Sequence, residues 1–223
     1  MFKVVIIKVV INGTFKCKSK MKLTTNDLEF IKFVKRECRR TKIKCIFKNT
    51  KSVKLSEENN TRCSGYFDSE NRELVVAMKH PQALAIIVHE YCHLTQWEEQ
   101  IPLWKKADIA LIKIDDWLNG KRIHNIRQHL SIARNLELDN EKRSVQTIRK
   151  WKLSIDLDLY IKRANAYIHF YNYLYYSRSW SKPSNTPYTN KRIVRLMSSR
   201  FNMKYDDLSP KIHKIFTDEN IGF

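Results

Sequence analysis

The stretch ALAIIVHEYCHLTQWE, residues 83–98, places two histidines and a glutamate inside an otherwise apolar run. Pro81 comes just before it, and a first helical turn tolerates proline, so we predict a helix from about residue 81 to residue 99. Positions i and i+4 lie on one face of a helix, so His89 and His93 can present two ring nitrogens to one ion. Burying two imidazoles and a carboxylate without partners costs free energy, which a bound metal ion would offset.

Composition limits the class of protein. The chain has 223 residues, 43% of them hydrophobic, which is enough for a compact core. Forty-two Lys and Arg residues against 23 Asp and Glu residues give a formal net charge of +19, which makes nucleic acid a candidate partner. The five cysteines are odd in number and never form CxxC, so we expect reduced thiols in a cytoplasmic protein.

The N-terminal stretch MFKVVIIKVVING, residues 1–13, is too short in its apolar part for a membrane span, and Lys8 interrupts it. No small-residue cleavage site of the kind found in signal peptides follows it. Its Val and Ile content is typical of a β-strand, and Asn12 with Gly13 offers a turn. We therefore predict an N-terminal strand and no membrane partner.

The remaining patterns predict an α+β fold. Thr24 and Asp27 provide a cap for a helix over about 25–40, and strands are predicted over 42–48 and 72–78, with a weaker one over 62–68. Helical patterns follow in the second half of the chain. They cover about 103–118, 124–151 and 156–177, with two short basic helices within 191–201 and 209–216.

His89, Glu90 and His93 together form the pattern HExxH. On a helix, the two histidines can bind one Zn²⁺, and Glu90 lies beside them as the general base for a water whose pKa the zinc lowers. The same glutamate can then hand the proton to a leaving amine. The motif and its apolar setting therefore predict a metal site with Glu90 as the catalytic residue.

With this motif, the chain resembles the zincin metallopeptidases. Their wider signature has uncharged residues around HExxH, and Val88, Tyr91, Cys92 and Leu94 agree with it. The resemblance covers roughly residues 25–150. It implies a small zincin-like domain, with a short β-sheet plus an active-site helix followed by several helices. It further implies Zn²⁺ as cofactor and hydrolysis of a peptide bond in a protein or peptide substrate.

The same resemblance implies a third protein ligand. The longer pattern HExxHxxGxxH is absent, because Gln96 and Glu99 stand where it needs Gly and His, so the metzincin branch is not favoured. In gluzincins and in the small ImmA/IrrE-like peptidases, the third ligand is a glutamate on a later helix. Here the candidates on the helix predicted over 124–151 are Glu137 and Glu141.

The sequence does not settle which of these two glutamates binds the metal, but the residues around them favour Glu141. Leu138, Val145 and Ile148 place Glu141 inside the apolar stripe of its helix, which favours Glu141 as the ligand. In the gluzincin pattern, an acidic residue follows the ligand glutamate four positions later. That pattern favours Glu137 instead, with Glu141 orienting a histidine.

Other polar residues are weaker candidates. His124 and His129 are possible ligands but are expected to be ordinary histidines on a polar face. Tyr167, His169 and Tyr188 are candidates to donate a hydrogen bond to the oxyanion of a peptide substrate. No spacing rule selects among these three residues.

We expect two parts in the chain: a zincin-like metallopeptidase domain over residues 1–180 and a basic C-terminal extension over residues 181–223. The extension interleaves Tyr188, Phe201 and Tyr205 with basic side chains that could follow a phosphate backbone, namely Lys182, Lys191, Arg192, Arg195, Arg200, Lys204, Lys211 and Lys214. The alternative to a peptidase is accordingly a basic nucleic-acid-binding or interaction protein with a structural or inactive zincin core.

Overall fold

A computed structural model describes residues 23–55, 62–182, 184–201 and 204–222. The predicted N-terminal strand lies outside the described residues. Seven helices and five short strands are present in the described part, so the predicted α+β class is confirmed. In chain order the elements are α1 (Thr25–Arg40), β1 (Lys44–Lys48), β2 (Val53–Lys54), β3 (Arg62–Cys63), β4 (Gly65–Asp68), β5 (Glu73–Ala77), α2 (Ala83–Glu98), α3 (Pro102–Leu118), α4 (Ile126–Trp151), α5 (Leu157–Ser177), α6 (Lys191–Leu196) and α7 (Pro210–Asp218).

These elements form two compact units. The first holds the described residues up to Gln100 together with Arg143–Ile155, and the second holds Ile101–Lys142 and the described residues from Asp156 onward. The helix α4 is continuous and contributes residues to both units. The division expected between residues 1–180 and 181–223 stays a prediction.

A three-stranded sheet, in the order β1-β5-β4, is the framework of the first unit. The β1–β5 pair is parallel and the β4–β5 pair is antiparallel. The central strand β5 has the sequence ELVVA, and its last four residues are fully buried, as expected for a strand covered on both faces. One face contributes Tyr66, Val75 and Ala77 to a cluster that also contains Val53 of β2, Leu55 just after β2, and Cys63 of β3.

The helix α2 packs on β4 and β5, as its leading apolar residues predict. Gly65 makes this packing close, because a Cβ atom there would lie 2.5 Å from Ile86 Cγ2 and 2.9 Å from the Val75 carbonyl oxygen. Phe67 on the same strand contacts Trp97 near the end of the helix, with ring centroids 5.9 Å apart. The sheet therefore fixes the helix that carries the HExxH motif.

The helix α1 is held at both its start and its inner face. Thr24 and Asp27 form a capping box, and the buried Asp27 carboxylate also accepts hydrogen bonds from the backbone N–H and the hydroxyl of Ser154 at 2.9 and 2.5 Å. Burial alone would raise the pKa of Asp27, but these hydrogen bonds lower it overall. The inner face adds an aromatic cluster of Phe30, Phe33, Tyr91 and Trp151.

In the second unit, buried polar and aromatic side chains connect α4, α5 and α7 with the segment around Tyr205. Arg134 of α4 is only 2% exposed, and its guanidinium donates to the Asn172 side chain, the Tyr205 carbonyl oxygen and the Asp206 carboxylate. Tyr173 packs against Phe216 of α7, with ring centroids 5.2 Å apart. Within the described ranges, no helix combines the length and the apolar character needed to cross a membrane.

Candidate metal centre

His89, Glu90 and His93 lie in the middle of α2, where nearly every side chain is buried. The two histidines are 5% and 0% exposed, and Glu90 is 0% exposed. Apolar neighbours on both sides of the motif, from Ile86 to Val88 and at Leu94, are buried as well. The helix is therefore a core helix that carries three ionisable groups into the interior, which is the arrangement that its sequence predicts.

The two histidines point their Nε2 atoms at the same place. The His89 and His93 Nε2 atoms are 3.2 Å apart, and the ring centroids are 4.8 Å apart. Tetrahedral zinc with two imidazole nitrogens at its usual bond length would hold these nitrogens about 3.3 Å apart. The spacing of the two rings therefore fits a shared zinc ion.

A third ligand atom completes this group. Within the described part of the chain, the ligand atoms of His89, His93 and Glu137 all lie within 4.8 Å of one another, and all three residues are buried. Two imidazoles and one carboxylate are a donor set that catalytic zinc uses, with its fourth position left for water or substrate. The group can therefore hold a metal ion, and the donor set alone does not identify which one.

Glu141 lies one turn beyond Glu137 on α4 and is also buried, with 6% exposure, but this group of ligand atoms does not include it. Asn140 and Ser144 are fully buried on the same helix face. This face of α4 is thus polar in the interior. The sequence favours Glu141 of the two glutamates, but Glu137 is the one whose ligand atom lies with those of the histidines.

The side chain of Gln96 orients His93. Its Oε1 atom lies 2.8 Å from His93 Nδ1 and is an acceptor only, so Nδ1 carries the proton and Nε2 keeps its lone pair toward His89 and Glu137. Burial and the neighbouring His89 lower the pKa of His93 well below its ordinary value, although the bond to Gln96 opposes this shift. Sequence reasoning noted Gln96 only as a departure from another motif, although its i+3 spacing from His93 was a usable signal.

Two buried tyrosines of α5 lie close to Glu137. The hydroxyl oxygens of Tyr167 and Tyr171 are 3.3 Å apart. Burial and the negative charge of Glu137 raise the pKa of both tyrosines well above the ordinary value, so both hydroxyls stay protonated and can donate hydrogen bonds. Tyr171 was missed at the sequence level, although it is one helical turn from the candidate Tyr167.

The other candidates are found elsewhere. His124 is exposed, His129 is partly exposed, and neither belongs to the group of ligand atoms. His169 is 1% exposed and packs against Tyr205 with ring centroids 5.3 Å apart, while Tyr188 packs against Tyr167. In the basic C-terminal segment, Tyr188 and Tyr205 are therefore buried rather than displayed beside the basic side chains.

Comparisons with protein-family models, with curated proteins and with solved structures found no match to this chain. Any statement of activity therefore has to rest on the residues of the site itself.

Proposed function

We propose that the protein is a zinc-dependent metallopeptidase, in which His89, His93 and Glu137 hold Zn²⁺ and Glu90 is the general base. The observation that carries the proposal is the buried group of two imidazoles and one carboxylate with ligand atoms within 4.8 Å. The HExxH motif also provides a general base next to this group, because Glu90 directly follows the ligand His89 on the same helix.

Each residue of the site has a separate role in the proposed peptide hydrolysis. A bound zinc would supply a water of lowered pKa and a Lewis acid for the substrate carbonyl. Glu90 accepts the proton of the attacking water and passes it to the departing amine. Gln96 fixes the tautomer of His93, and the hydroxyls of Tyr167 and Tyr171 are donors available near Glu137 for charge that develops on the substrate oxygen.

The substrate class that we propose is a protein or peptide of the cytoplasm. Cys38, Cys45, Cys63 and Cys92, the described cysteines, form no disulfide, which supports a reducing compartment. The net charge of +19 supports an acidic or nucleic-acid-bound partner, and the alternative function of a basic binding protein shares this support. Peptide-bond cleavage by the metal-loaded protein would distinguish the peptidase from the basic binding protein.

Metal content is the first test. We expect about one Zn²⁺ per purified chain, and a lower midpoint of thermal unfolding after chelation, because a ligand that binds only the folded state stabilises it. Glu137→Gln should lose zinc. Asp139→Asn, on the same helix, is the matched control and should retain it. If Glu141→Gln loses zinc and Glu137→Gln retains it, the assignment of the third ligand is wrong.

Catalysis is tested with Glu90→Gln, which keeps the size and shape of the side chain but replaces the basic carboxylate with an amide. We expect this variant to retain zinc and to lose cleavage of a peptide library by a factor of at least about a hundred, the range of general-base contributions. The wild-type protein with zinc and with chelator provides the reference. Equal cleavage by wild type and variant would contradict the role of Glu90, and zinc binding without any cleavage would favour the alternative function.

A further inference from the structure

The strand β1 is an edge strand of the three-stranded sheet. Within the described part of the chain it pairs only with β5, in parallel, from Lys44 opposite Glu73 to Lys48 opposite Ala77. An edge strand presents backbone N–H and C=O groups to which another extended chain can bond. The helix α2 packs on β4 and β5, so this edge is not the one that carries the HExxH motif.

The backbone hydrogen bonds show which residues of β1 point toward the open side. The N–H of Lys44 and the carbonyl oxygen of Lys48 both bond to residues that flank β5, at 2.7 and 2.8 Å. In a parallel pair, alternate residues of a strand bond to the neighbouring strand, and the residues between them point the other way. Cys45 and Phe47 therefore direct two N–H donors and two C=O acceptors toward the open side.

Both faces of β1 are covered, yet its central residues are only half-buried. Ile46 packs on one face against the cluster that contains Val75. On the other face, the Lys35 ammonium of α1 lies over the Phe47 ring, 5.2 Å from its centroid. Cys45, Ile46 and Phe47 are all partly exposed, whereas the last four residues of β5 are buried. The remaining exposure of β1 is therefore at its open side.

The sequence around this edge carries only positive charge. Residues 41–55, TKIKCIFKNTKSVKL, contain five lysines and no Asp or Glu. Lys44 and Lys48, at the two ends of β1, are exposed and lie on the same face of the strand. Pairing with a second copy of β1 in register, in either direction, would bring lysine next to lysine, which is destabilising. An acidic strand is the complement of this edge.

We propose that the open side of β1 binds an extended segment of a partner protein, with acidic residues on both sides of apolar ones, as an added antiparallel strand. The backbone groups of Cys45 and Phe47 bond to this segment, and its carboxylates lie beside Lys44 and Lys48. A polypeptide fits because it offers both donors and acceptors, whereas the phosphates of a nucleic acid offer acceptors alone. The interaction goes beyond the proposed peptidase and does not depend on zinc.

Fluorescence anisotropy with a labelled peptide tests this surface. The peptide Ser-Glu-Val-Val-Val-Glu-Ser places its glutamates opposite Lys44 and Lys48, and its outer valines opposite Cys45 and Phe47. The full chain with Glu90→Gln is used, so that the proposed peptidase does not cut the peptide and a failure of the metal centre leaves the measurement unaffected. We expect saturable binding, about tenfold weaker when lysines replace the two glutamates.

Methylation of the peptide backbone distinguishes strand pairing from general attraction of charge. In the added strand, the two outer valines direct their N–H groups toward β1, and the middle valine directs its N–H group away. Methylation of both outer nitrogens should abolish binding. Methylation of the middle nitrogen is the matched control and should preserve it, and equal binding of the two methylated peptides would refute the proposal.

Charge reversal on the protein tests the two flanking lysines. Lys44→Glu combined with Lys48→Glu should weaken binding of the acidic peptide about tenfold and strengthen binding of the lysine peptide. Lys105→Glu combined with Lys106→Glu is the control, because it changes the net charge equally at exposed positions of α3. Equal losses in the two double variants would trace the binding to net charge and contradict the proposal.

Hydrogen exchange followed by NMR locates the bound peptide. The amides of Cys45 and Phe47 should exchange rapidly in the free protein and become protected by the peptide, whereas the Ile46 amide, which faces β5, should be protected in both states. Protection of the first two amides in the free protein only at high concentration would identify a second copy at this edge. Protection in the free monomer would identify another segment of this chain, and protection by duplex DNA in place of the peptide would identify a nucleic acid. Each of these three results would overturn the proposal.

Discussion

Single residues around the candidate metal centre do more than supply ligand atoms. The amide of Gln96 is buried and holds the proton of His93 on Nδ1, so Gln96 would act on a bound metal ion through the orientation and tautomer of that ring. His169, in the second unit, is also buried and lies near a cation. Each of these two residues leads to a measurable prediction.

For Gln96, we expect Gln96→Leu to weaken zinc binding by about tenfold to a hundredfold, the range for loss of a hydrogen bond to a ligating histidine. The affinity is measured by competition with a chromophoric chelator. Gln100→Leu is the control, because Gln100 is exposed and its side chain donates to the Trp97 carbonyl oxygen. Unchanged affinity in Gln96→Leu would show that Gln96 does not orient a metal ligand.

For His169, we expect a contribution to acid sensitivity. Burial and the nearby Arg134 lower the pKa of His169 to about 4, below its ordinary value of 6.5. The unfolded chain therefore binds more protons than the folded protein between these two values, and the free energy of unfolding falls as the pH drops from about 6.5 to about 4. The full loss is on the order of 3 kcal/mol.

Urea unfolding of the metal-free protein at several pH values measures this effect. His169→Phe keeps a ring against Tyr205 and should show a flatter dependence on pH than wild type across that window. His124→Phe changes an exposed histidine and should follow the wild-type curve. Parallel curves for wild type and His169→Phe would refute the assignment.

At the scale of elements, the position of α2 on the sheet decides where the two histidines lie. Gly65 on β4 allows the close approach, because any side chain there meets both Ile86 and the backbone of β5. A shift of α2 would displace His89 and His93 together. Gly65 of the sheet therefore influences where the two histidines of the candidate metal centre lie.

We expect Gly65→Ala to destabilise the protein by about 1–3 kcal/mol, as overpacking of a core does, and to weaken zinc binding as well. Chemical denaturation and chelator competition measure the two effects. Gly120→Ala is the matched control: its φ of 91° strains an alanine, but nothing lies within 4 Å of the added atom. It should lower stability without changing zinc affinity, and a Gly65→Ala protein with wild-type zinc affinity would contradict the expectation.

Most of the elements could be predicted from the sequence, because the signals are local. Thr24 and Asp27 mark the start of α1, Pro102 is at the first position of α3, and Asn119 with Gly120 ends α3. The prediction for α2 began two residues early, because Pro81 precedes the helix rather than opening its first turn. The strand β2 was not predicted, since two residues leave no periodic pattern, and the weaker strand predicted over 62–68 is divided between β3 and β4.

The choice between Glu137 and Glu141 could not be made from the sequence for a different reason. The two residues are one turn apart, so helical periodicity places both on the same buried face of α4. The choice depends on where α4 lies along its own axis, and the four-residue step from Glu137 to Glu141 amounts to about 6 Å. That position results from tertiary packing. The apolar residues around Glu141 indicate which face of α4 is buried, but not how far along its axis the helix lies.

At the scale of the whole molecule, the dominant property is the net charge of +19. Such a charge attracts polyanions without regard to their sequence and raises rates of association with them. The burial of Tyr188 and Tyr205 removes two aromatic rings that could have stacked on bases. Any nucleic-acid binding should therefore be electrostatic in character.

We accordingly expect binding to duplex DNA that depends on salt and not on sequence. The affinity should fall at least about tenfold between 50 and 200 mM salt, because counterions are released from the phosphates that the protein contacts. Fluorescence anisotropy with two unrelated duplexes of equal length measures it. A strong preference for one duplex, or an affinity that salt does not change, would contradict this expectation.

The separation of the three candidate ligands along the chain also has a consequence for biosynthesis. Translation delivers His89 and His93 first, and Glu137 follows only after α3 and the first half of α4 have been made. A nascent chain therefore holds two of the three donors while it is still attached to the ribosome. The complete group can form only after the peptide has grown past residue 137, so the two histidines must wait for a later part of the chain.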